Sequence, residues 1–157
     1  LPVLFCCENN RYAMGTAITR SSATTDLSKR GASFNIPGQQ VDGMDVRAVN
    51  AAGEQAVAWC RSGKGPFILE MLTYRYRGHS MSDPAKYRTR EEVDEVRTHH
   101  DPIDMVRHRI LERKMAQEDE LKKIDGDVRD LINQAAEFAT HDPEPDASEL
   151  YKDVYRV

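Results

Sequence analysis

The sequence FILEML at Phe67–Leu72 is followed, at residues 74–84, by YRYRGHSMSDP. The first part is an apolar run bounded by polar residues, which predicts a buried strand. The second part is polar and predicts a loop, and loops at the carboxyl ends of strands usually bind the ligands of α/β proteins. An anionic ligand such as a phosphate fits its charges, and an ordinary solvated loop is the alternative. The cationic side chains in and after this loop are Arg75, Arg77, His79, Lys86, Arg88 and Arg90.

The composition indicates a globular protein with a long, charged helical part. The chain has 157 residues, of which 39% are hydrophobic and 31% charged, enough for one domain of ordinary size. A net charge of −4 argues against non-specific binding to nucleic acid. No apolar run approaches a transmembrane helix, and no signal or transit peptide is visible, so we expect no membrane partner. Cys6, Cys7 and Cys60 match neither a disulfide framework nor a zinc-ligand spacing, so we expect them to be structural in a reducing compartment.

The first residues predict that this chain is a piece of a longer protein. Leu1 is not an initiator methionine, and the sequence LPVLFCC begins directly as a buried strand. We therefore expect part of a functional site to lie outside this sequence.

The order of predicted elements indicates an α/β fold. Residues 3–7 form an apolar run without alternation, which is typical of a strand in a parallel sheet covered on both faces. Asp45 is a good N-cap for a helix that runs to about Ser62, Gly63 is a natural residue to follow its end, and the strand Phe67–Leu72 comes next. We predict the carboxyl-terminal part of a doubly wound parallel sheet, followed by a helical region.

The segment between the first strand and this helix carries weaker signals. Residues 14–25 lack any periodicity and predict a loop. Residues 26–30 predict a short helix that ends at Gly31. Residues 36–43 mix turn formers with a short extended piece.

Beyond the cationic loop the sequence becomes helical. Thr89 and Glu92 have the spacing of a capping box at the start of one helix. Asp101 before Pro102 is a cap followed by proline at the first helical position, which predicts a second helix. A third helix begins at Glu118 and ends near residue 141, with apolar residues at three- and four-residue steps.

The end of the chain predicts an extended segment over residues 144–157, which includes Tyr151 and Tyr155 and packs on this chain or on a partner. We place residues 1–90 in a partial α/β binding domain. Residues 91–157 form the helices and tail, packed as part of the same domain.

Asn9 and Asn10 stand where the first strand ends. Asparagine forms turns by bonding its own backbone, and this is the interpretation that the residue type favours. The alternative is that a side-chain oxygen binds a hard cation such as Mg²⁺.

Two longer motifs are more specific than any single residue, namely ENNRYAMGT at residues 8–16 and YRYRGHSMSDP at residues 74–84. Both resemble the α subunits of the pyruvate dehydrogenase E1 component, in the thiamine-diphosphate-dependent 2-oxo acid dehydrogenase family. The resemblance covers nearly the whole chain. The further matching segments are IPG at 36–38, VDGMD at 41–45, RSGKGP at 61–66, YRTR at 87–90 and DPEP at 142–145.

The resemblance implies a thiamine-diphosphate-binding fold, cofactors and partners. In this family thiamine diphosphate attacks a 2-oxo acid, carbon dioxide leaves, and the acyl group passes to a lipoyl group on E2. The α subunit holds the diphosphate and Mg²⁺, and the β subunit covers the other end of the cofactor in an α2β2 heterotetramer. Pyruvate is therefore the implied substrate, and the E1 β subunit and the E2 lipoyl domain are the implied partners. We expect this piece to be inactive by itself.

The resemblance also implies site residues. The family's thiamine motif begins with Gly-Asp-Gly and closes with Asn-Asn, and only the closing pair is present here. By position, Asn10 gives its side-chain oxygen to Mg²⁺ and Tyr12 gives its backbone carbonyl, both hard ligands. His79 matches the family histidine that contacts the cofactor diphosphate. It is the implied catalytic residue, because histidine transfers protons near neutral pH.

Ser80 matches the serine that is phosphorylated in mitochondrial members, and a phosphate there adds negative charge beside the diphosphate. Two other regulated serines of those members are replaced. Lys86 stands before Tyr87 in a loop one residue shorter, and Thr24 occupies the third position. We therefore expect a bacterial, cytoplasmic enzyme without kinase control, with the mitochondrial matrix as the compartment if the source is eukaryotic.

Two alternatives remain open. The α subunits of branched-chain 2-oxo acid and acetoin dehydrogenases are similar, although Arg11, Met81 and Pro84 favour the pyruvate type. The non-enzyme alternative is that the isolated chain is an assembly module, with helices and a tail for subunit contact and an incomplete cofactor site.

Overall fold

The structure, a computed structural model, describes residues 1–154. The chain divides into two compact units, Leu1–Arg109 and Ile110–Val157. No helix among the described residues has the length and apolar character needed to cross a membrane. In chain order the elements are β1 Leu4–Asn9, β2 Tyr12–Ala13, β3 Thr16–Ala17, α1 Ile18–Ser21, a first 3₁₀ helix Leu27–Phe34, β4 Gly38–Asp42, α2 Val46–Arg61, β5 Phe67–Leu72, α3 Arg90–His99, α4 Pro102–Glu112, α5 Glu118–His141 and a second 3₁₀ helix Ala147–Tyr151.

Three parallel strands form the main sheet, in the order β1-β5-β4. The apolar run FILEML gives the central strand, and its Leu69 and Glu70 side chains are buried. A strand with a neighbour on each edge is the most enclosed position in the sheet, which accounts for its nearly continuous apolar sequence. The predicted α/β class with a parallel sheet is confirmed.

The three strands finish level at one edge of the sheet. Leu72 is the last residue of β5, and it pairs with Asn9 of β1 and with Asp42 of β4. These two partners are also the last residues of their strands. The segments that follow β1 and β5 therefore begin side by side, at the edge where α/β proteins bind ligands.

Helix α2 packs on this sheet through small side chains. Ala52, Ala56 and Cys60 are buried along one face and are spaced four residues apart, as a helical stripe requires. Small residues allow a helix backbone to lie close to a sheet, so few large apolar side chains are needed here.

The ends of α2 confirm the sequence signals. The Asp45 carboxylate accepts hydrogen bonds from the Arg47 and Ala48 N–H groups at 2.9 and 3.3 Å, which is an N-cap. Gly63 follows the helix with φ +78°, the left-handed conformation that commonly ends a helix.

Helices α3 and α4 also begin at their predicted caps. The Thr89 hydroxyl accepts from the Glu92 N–H at 3.1 Å. Asp101 Oδ1 accepts from the N–H groups of Ile103 and Asp104 at 2.9 and 3.2 Å. Both starts are confirmed.

In the second unit, Glu120 Oε2 accepts from the Gln117 N–H at 2.7 Å at the start of α5, and the helix ends at His141, close to the predicted end. The apolar side chains at three- and four-residue steps share one side of this helix, and most of them are exposed. The exposed members of this stripe are Ile124, Val128, Leu131, Ile132 and Phe138.

The segment between β1 and β4 is more ordered than its sequence predicts. Residues 14–25 contain β3 and α1, and β3 pairs with β2 in a short antiparallel hairpin. The helix expected to end at Gly31 continues to Phe34 and ends at Asn35, which has φ 53°. A Cβ at Gly31 would lie 2.6 Å from the Ile36 carbonyl oxygen, so this glycine permits close packing and does not end the helix.

The prediction of an extended tail is wrong for residues 147–151, which form the second 3₁₀ helix. The Asp146 carboxylate accepts from the Ser148 N–H at 2.8 Å and caps this turn. Tyr151 is 83% exposed. Tyr155 lies outside the described residues.

Replacing Gly63 with alanine is expected to destabilise the protein, whereas the same change at Gly53 is expected to stabilise it. Gly63 has φ +78°, where an L-residue is strained although a Cβ meets no atom within 4 Å. Gly53 lies inside α2 with open space at its Cβ, so alanine gains helix propensity there. We expect opposite changes of about 1 kcal/mol in the free energy of unfolding, measured by urea denaturation. Shifts in the same direction for both variants would contradict this account.

Candidate functional site

The segment after β1 consists of two successive asparagine turns. Asn9 Oδ1 accepts from the Arg11 N–H at 2.9 Å, and Asn10 Oδ1 accepts from the Tyr12 N–H at 3.1 Å. Arg11 has φ 69°, so the chain reverses sharply here. The turn-forming role that the residue type favours is therefore confirmed for both asparagines.

The guanidinium of Arg75, just beyond β5, joins this turn to the next loop. Its Nη2 lies 3.4 Å from Asn10 Oδ1 and 3.3 Å from the Tyr12 carbonyl oxygen. Its Nη1 donates to the Met14 carbonyl at 3.2 Å. The two oxygens that the resemblance assigns to Mg²⁺ thus accept from one and the same nitrogen, and they face a common position.

These oxygens fit a small hard cation. An amide oxygen and a backbone carbonyl oxygen are ligands that Mg²⁺ takes, and both already accept from a positive group. Asn10 Oδ1 uses its two lone pairs for Tyr12 N–H and Arg75 Nη2, so a metal ion would replace the Arg75 donor. Among residues 1–154 no group of three or more His, Cys, Asp or Glu side chains is placed to hold a metal ion.

Asp83 organises the loop that carries His79. Its Oδ2 accepts from the His79 backbone N–H at 2.7 Å and from the Tyr87 hydroxyl at 2.8 Å. Its Oδ1 accepts from the Ala85 N–H at 2.9 Å. Hydrogen bonds from the His79 and Ala85 N–H groups, then from the Tyr87 hydroxyl, hold the pKa of Asp83 below its ordinary value. The loop is therefore fixed internally by one carboxylate.

Tyr87 and Arg88 attach this loop to the turn after β1. The ring of Tyr87 lies 4.9 Å from that of Tyr12, measured between centroids. Arg88 is 8% exposed, and its Nη2 donates to the Arg77 carbonyl at 3.1 Å. Its guanidinium lies over three tyrosine rings, at 5.8 Å from Tyr12, 5.3 Å from Tyr74 and 5.1 Å from Tyr87. Cation–π attraction in this buried position stabilises the junction of the two segments.

Two tyrosines anchor the start of the loop to the helices that follow it. The Tyr74 hydroxyl donates to Glu92 Oε1 at 2.9 Å, and the Tyr76 hydroxyl donates to Asp101 Oδ2 at 2.9 Å. Burial, followed by the hydrogen bond to the neighbouring carboxylate, raises the pKa of each tyrosine to about 12. Both hydroxyls therefore remain neutral donors at physiological pH.

Two cavities open near the carboxyl edge of the sheet. One of about 260 Å³ is lined by residues of the turn, including Asn10 and Tyr12. A larger one of about 550 Å³ lies at the ends of β4 and β5, and its lining includes Asp42, Thr73 and Glu92. The smaller cavity is the more relevant to the predicted site, because it contains both predicted metal-binding residues.

The structure brings together some of the predicted site residues. Asn10 and Tyr12 are half-buried neighbours in one turn, whereas His79 and Ser80 are exposed on the loop after β5. Within the described residues no hydrogen bond joins the His79 ring to Asn10 or to Tyr12. The catalytic, diphosphate-binding and regulatory roles of His79 and Ser80 stay predictions, as do the metal-binding roles of Asn10 and Tyr12.

Three charged side chains, two at this edge and one inside the sheet, have roles that the sequence analysis did not assign to them. Arg75 and Arg88 belong to the cationic loop expected to face an anion, but the first donates to oxygens and the second is enclosed by tyrosines. Glu70 stands within an apolar run and is completely buried. A charged residue in the middle of an apolar strand sequence indicates that other elements supply buried hydrogen-bond partners, since a buried charge requires them.

A model of the family described as Dehydrogenase E1 component matches residues 1–148. The chain belongs to the dehydrogenase E1 component family. Membership confirms the resemblance carried by the two motifs and implies dependence on thiamine diphosphate.

Curated relatives cover nearly all of this chain. It is 66% identical over 154 residues to the pyruvate dehydrogenase E1 component subunit alpha of Rhizobium meliloti (strain 1021), which covers 98% of this chain and 44% of that protein. The mitochondrial subunit alpha of Sminthopsis macroura is 55% identical over 156 residues, which cover 99% of this chain and 42% of that protein. The somatic mitochondrial form from Bos taurus is 54% identical over 156 residues, which cover 99% of this chain and 40% of that protein. The chain spans less than half the length of these relatives.

Replacing Asp83 with asparagine is expected to loosen the His79 loop. An amide has one acceptor oxygen in place of two, so it cannot accept from all three donors. The pKa of Asp83 is lower in the folded protein than in the unfolded chain, where it is about 3.9. The ionised carboxylate therefore stabilises the loop fully above the unfolded-state pKa, and this stabilisation is lost as the pH falls through the folded-state pKa. We expect constant protection of the His79 and Ala85 amides between about pH 5 and 8 in the wild type, and weaker protection throughout in D83N. Hydrogen exchange followed by NMR measures both.

The matched control is Asp146→Asn, which changes an exposed aspartate that also accepts from a backbone N–H. It should leave exchange at His79 and Ala85 unchanged. Equal protection of these amides in D83N and the wild type would show that Asp83 does not organise the loop.

Proposed function

We propose that this chain is the part of an E1 α subunit that holds the diphosphate and metal end of thiamine diphosphate. Together with an E1 β subunit in an α2β2 assembly, that subunit decarboxylates pyruvate and transfers the acetyl group to the lipoyl group of E2. The observation that carries the proposal is that Asn10 Oδ1 and the Tyr12 carbonyl accept from one Arg75 nitrogen. The names of the relatives, pyruvate dehydrogenase E1 component subunits alpha, support pyruvate as the substrate.

The metal-binding residues have simple roles in this proposal. Asn10 and Tyr12 would each give one oxygen ligand to Mg²⁺, in the position that the Arg75 guanidinium occupies here. The remaining ligands of the ion would come from groups other than these two residues. The chemistry that thiamine diphosphate supplies when bound is addition to the 2-oxo group and stabilisation of the negative charge left when carbon dioxide departs.

His79 is the residue of this chain that we place against the diphosphate. Imidazole donates a hydrogen bond to a phosphate oxygen in either protonation state, and it transfers a proton near neutral pH. Support comes from the Asp83 carboxylate, which fixes the backbone of His79 within the loop. Orientation of this donor is thus a property of the loop rather than of the histidine alone.

Ser80 is the candidate regulatory position. It is exposed, and its Oγ lies 3.0 Å from Ser82 Oγ, so a phosphate there would stand on the loop next to His79. The absence of serine at positions 24 and 86 favours an enzyme without kinase control. We propose the bacterial cytoplasm as its compartment, in keeping with the similarity to the Rhizobium meliloti subunit.

The assembled α/β enzyme should decarboxylate pyruvate in preference to branched-chain 2-oxo acids. Comparing kcat/KM for pyruvate and 3-methyl-2-oxobutanoate measures this preference directly. A higher value for the branched acid would replace the pyruvate assignment with the branched-chain alternative.

Asn10→Ala should weaken Mg²⁺ binding in the assembled enzyme, since it removes one ligand oxygen. Loss of a group that hydrogen-bonds to a metal ligand lowers metal affinity by about 10- to 100-fold, and loss of a ligand itself should lower it at least as much. Calorimetric titration of Mg²⁺ in the presence of thiamine diphosphate measures the change. Asn50→Ala is the control, because Asn50 is exposed on α2. Unchanged Mg²⁺ affinity in N10A would contradict the ligand assignment.

The same titration on residues 1–157 alone tests the assembly-module alternative. We expect no binding at micromolar concentrations, because the family's other ligands are not in this sequence. Micromolar binding by the isolated chain would show that its cofactor site is self-sufficient.

A further inference from the structure

Glu70 is a completely buried carboxylate in the middle of β5, and the function proposed above gives it no role. Its exposed fraction is 0%. Oε1 accepts from Asn9 Nδ2 at 2.6 Å, and Oε2 accepts from the Ser28 N–H at 2.8 Å and from Gln40 Nε2 at 3.2 Å. All three donors are neutral amides, so hydrogen bonds rather than an opposite charge hold this group in the interior.

The donors to Glu70 come from three different elements. Asn9 is the last residue of β1, Ser28 lies in the first 3₁₀ helix, and Gln40 lies in β4. Glu70 therefore connects its own strand to both neighbouring strands and to the helix beside them. A purely structural role would consist of this connection alone.

Asn9 extends the influence of Glu70 beyond the sheet. Carboxylate oxygens only accept, so the amide nitrogen of Asn9 must face Glu70 and its oxygen must face away. That oxygen accepts from the Arg11 N–H, which forms the first turn. The second turn follows at once, where Asn10 accepts from the Tyr12 N–H. The orientation of one buried amide thus sets the turn that presents both oxygens of the predicted cation site.

We propose that Glu70 is a positioning residue for the cation site, since its carboxylate acts through Asn9 to fix the turn that aims Asn10 Oδ1 and the Tyr12 carbonyl at one cation. This inference rests on the proposed function, because it requires those two oxygens to be the metal ligands. Glu70 touches neither of them and does not take part in the reaction. Its contribution is measured as metal affinity.

The test exchanges the two polar groups in the assembled α/β enzyme. Glu70→Gln keeps one acceptor oxygen and turns an amide N–H towards at least one of the three donors. The double variant N9D/E70Q restores complementarity. In it the glutamine amide donates to the aspartate, whose other oxygen still accepts from the Arg11 N–H. The glutamine oxygen then accepts from Ser28 and Gln40.

We expect E70Q to raise the apparent dissociation constant for Mg²⁺ by about 10- to 100-fold, as loss of outer hydrogen bonds around a metal site does. The measurement is a calorimetric titration of Mg²⁺ in the presence of thiamine diphosphate. N9D/E70Q should recover most of this loss. Recovery is the result that depends on the hydrogen bond between these two side chains, because both original residues are absent from the double variant.

The chain offers a matched control pair on its surface. Asn50 Nδ2 donates to Glu54 Oε1 at 3.1 Å on exposed α2, which is the same pair of chemical groups outside the core. E54Q and N50D/E54Q make the same changes in charge and should leave Mg²⁺ affinity unchanged.

Three results would overturn the inference. One is a folded E70Q enzyme that is less stable in urea but binds Mg²⁺ as the wild type does, since Glu70 would then be structural only. Another is weakened binding that the exchange does not restore.

If E70Q does not fold, Asn9→Ala decides the question, because it keeps the carboxylate and its other two donors. Unchanged Mg²⁺ affinity in folded N9A is the third overturning result, and weaker affinity supports the inference.

The same titration separates this inference from the proposed function. If the wild-type enzyme binds no Mg²⁺ with thiamine diphosphate, the proposed function fails and the inference falls with it. If the wild type binds and E70Q binds equally well, only the inference fails.

Discussion

A buried carboxylate inside a parallel sheet is stable only if hydrogen-bond donors surround it. The elements around Glu70 must therefore supply these donors. One donor comes from each of β1, β4 and the first 3₁₀ helix. Helix α2 packs on the sheet through small apolar side chains such as Ala52 and Ala56, and such contacts specify little about register. Directional hydrogen bonds to a charged group are stronger and more exacting than such contacts. They connect β5 to β1, to β4 and to the first 3₁₀ helix.

The loops beyond this edge contain little regular structure, and side chains hold them in place. Asp83 closes the His79 loop on itself, and Arg88 lies between the tyrosines that join this loop to the turn after β1. Each of these groups satisfies several partners at once, so the loss of one side chain disturbs more than one contact. The arrangement of these loops therefore depends on few residues.

Local signals in the sequence predict the frame of this fold well. The Asp45 cap, the strand Phe67–Leu72 and the left-handed Gly63 each depend on neighbours in the chain, and all three are confirmed. The continuation of the first 3₁₀ helix past Gly31 depends on close packing against Ile36. The partners of Glu70 and Arg75 lie as many as 61 and 65 residues away in the sequence, so no local pattern reveals them. Family motifs predict the site residues, and only the folded chain shows which side chains hold them in place.

The contact between Arg75 and the oxygens of the turn has a thermodynamic consequence for any metal that binds there. The position already holds a positive charge, so the binding of a metal there would exchange one cation for another. Replacing a guanidinium by a divalent ion increases the local charge by less than the full charge of the ion, which should make the affinity less sensitive to salt. The released guanidinium is then free to pair with an anion that arrives with the metal. One side chain can in this way couple the arrival of a cation to that of its anionic partner.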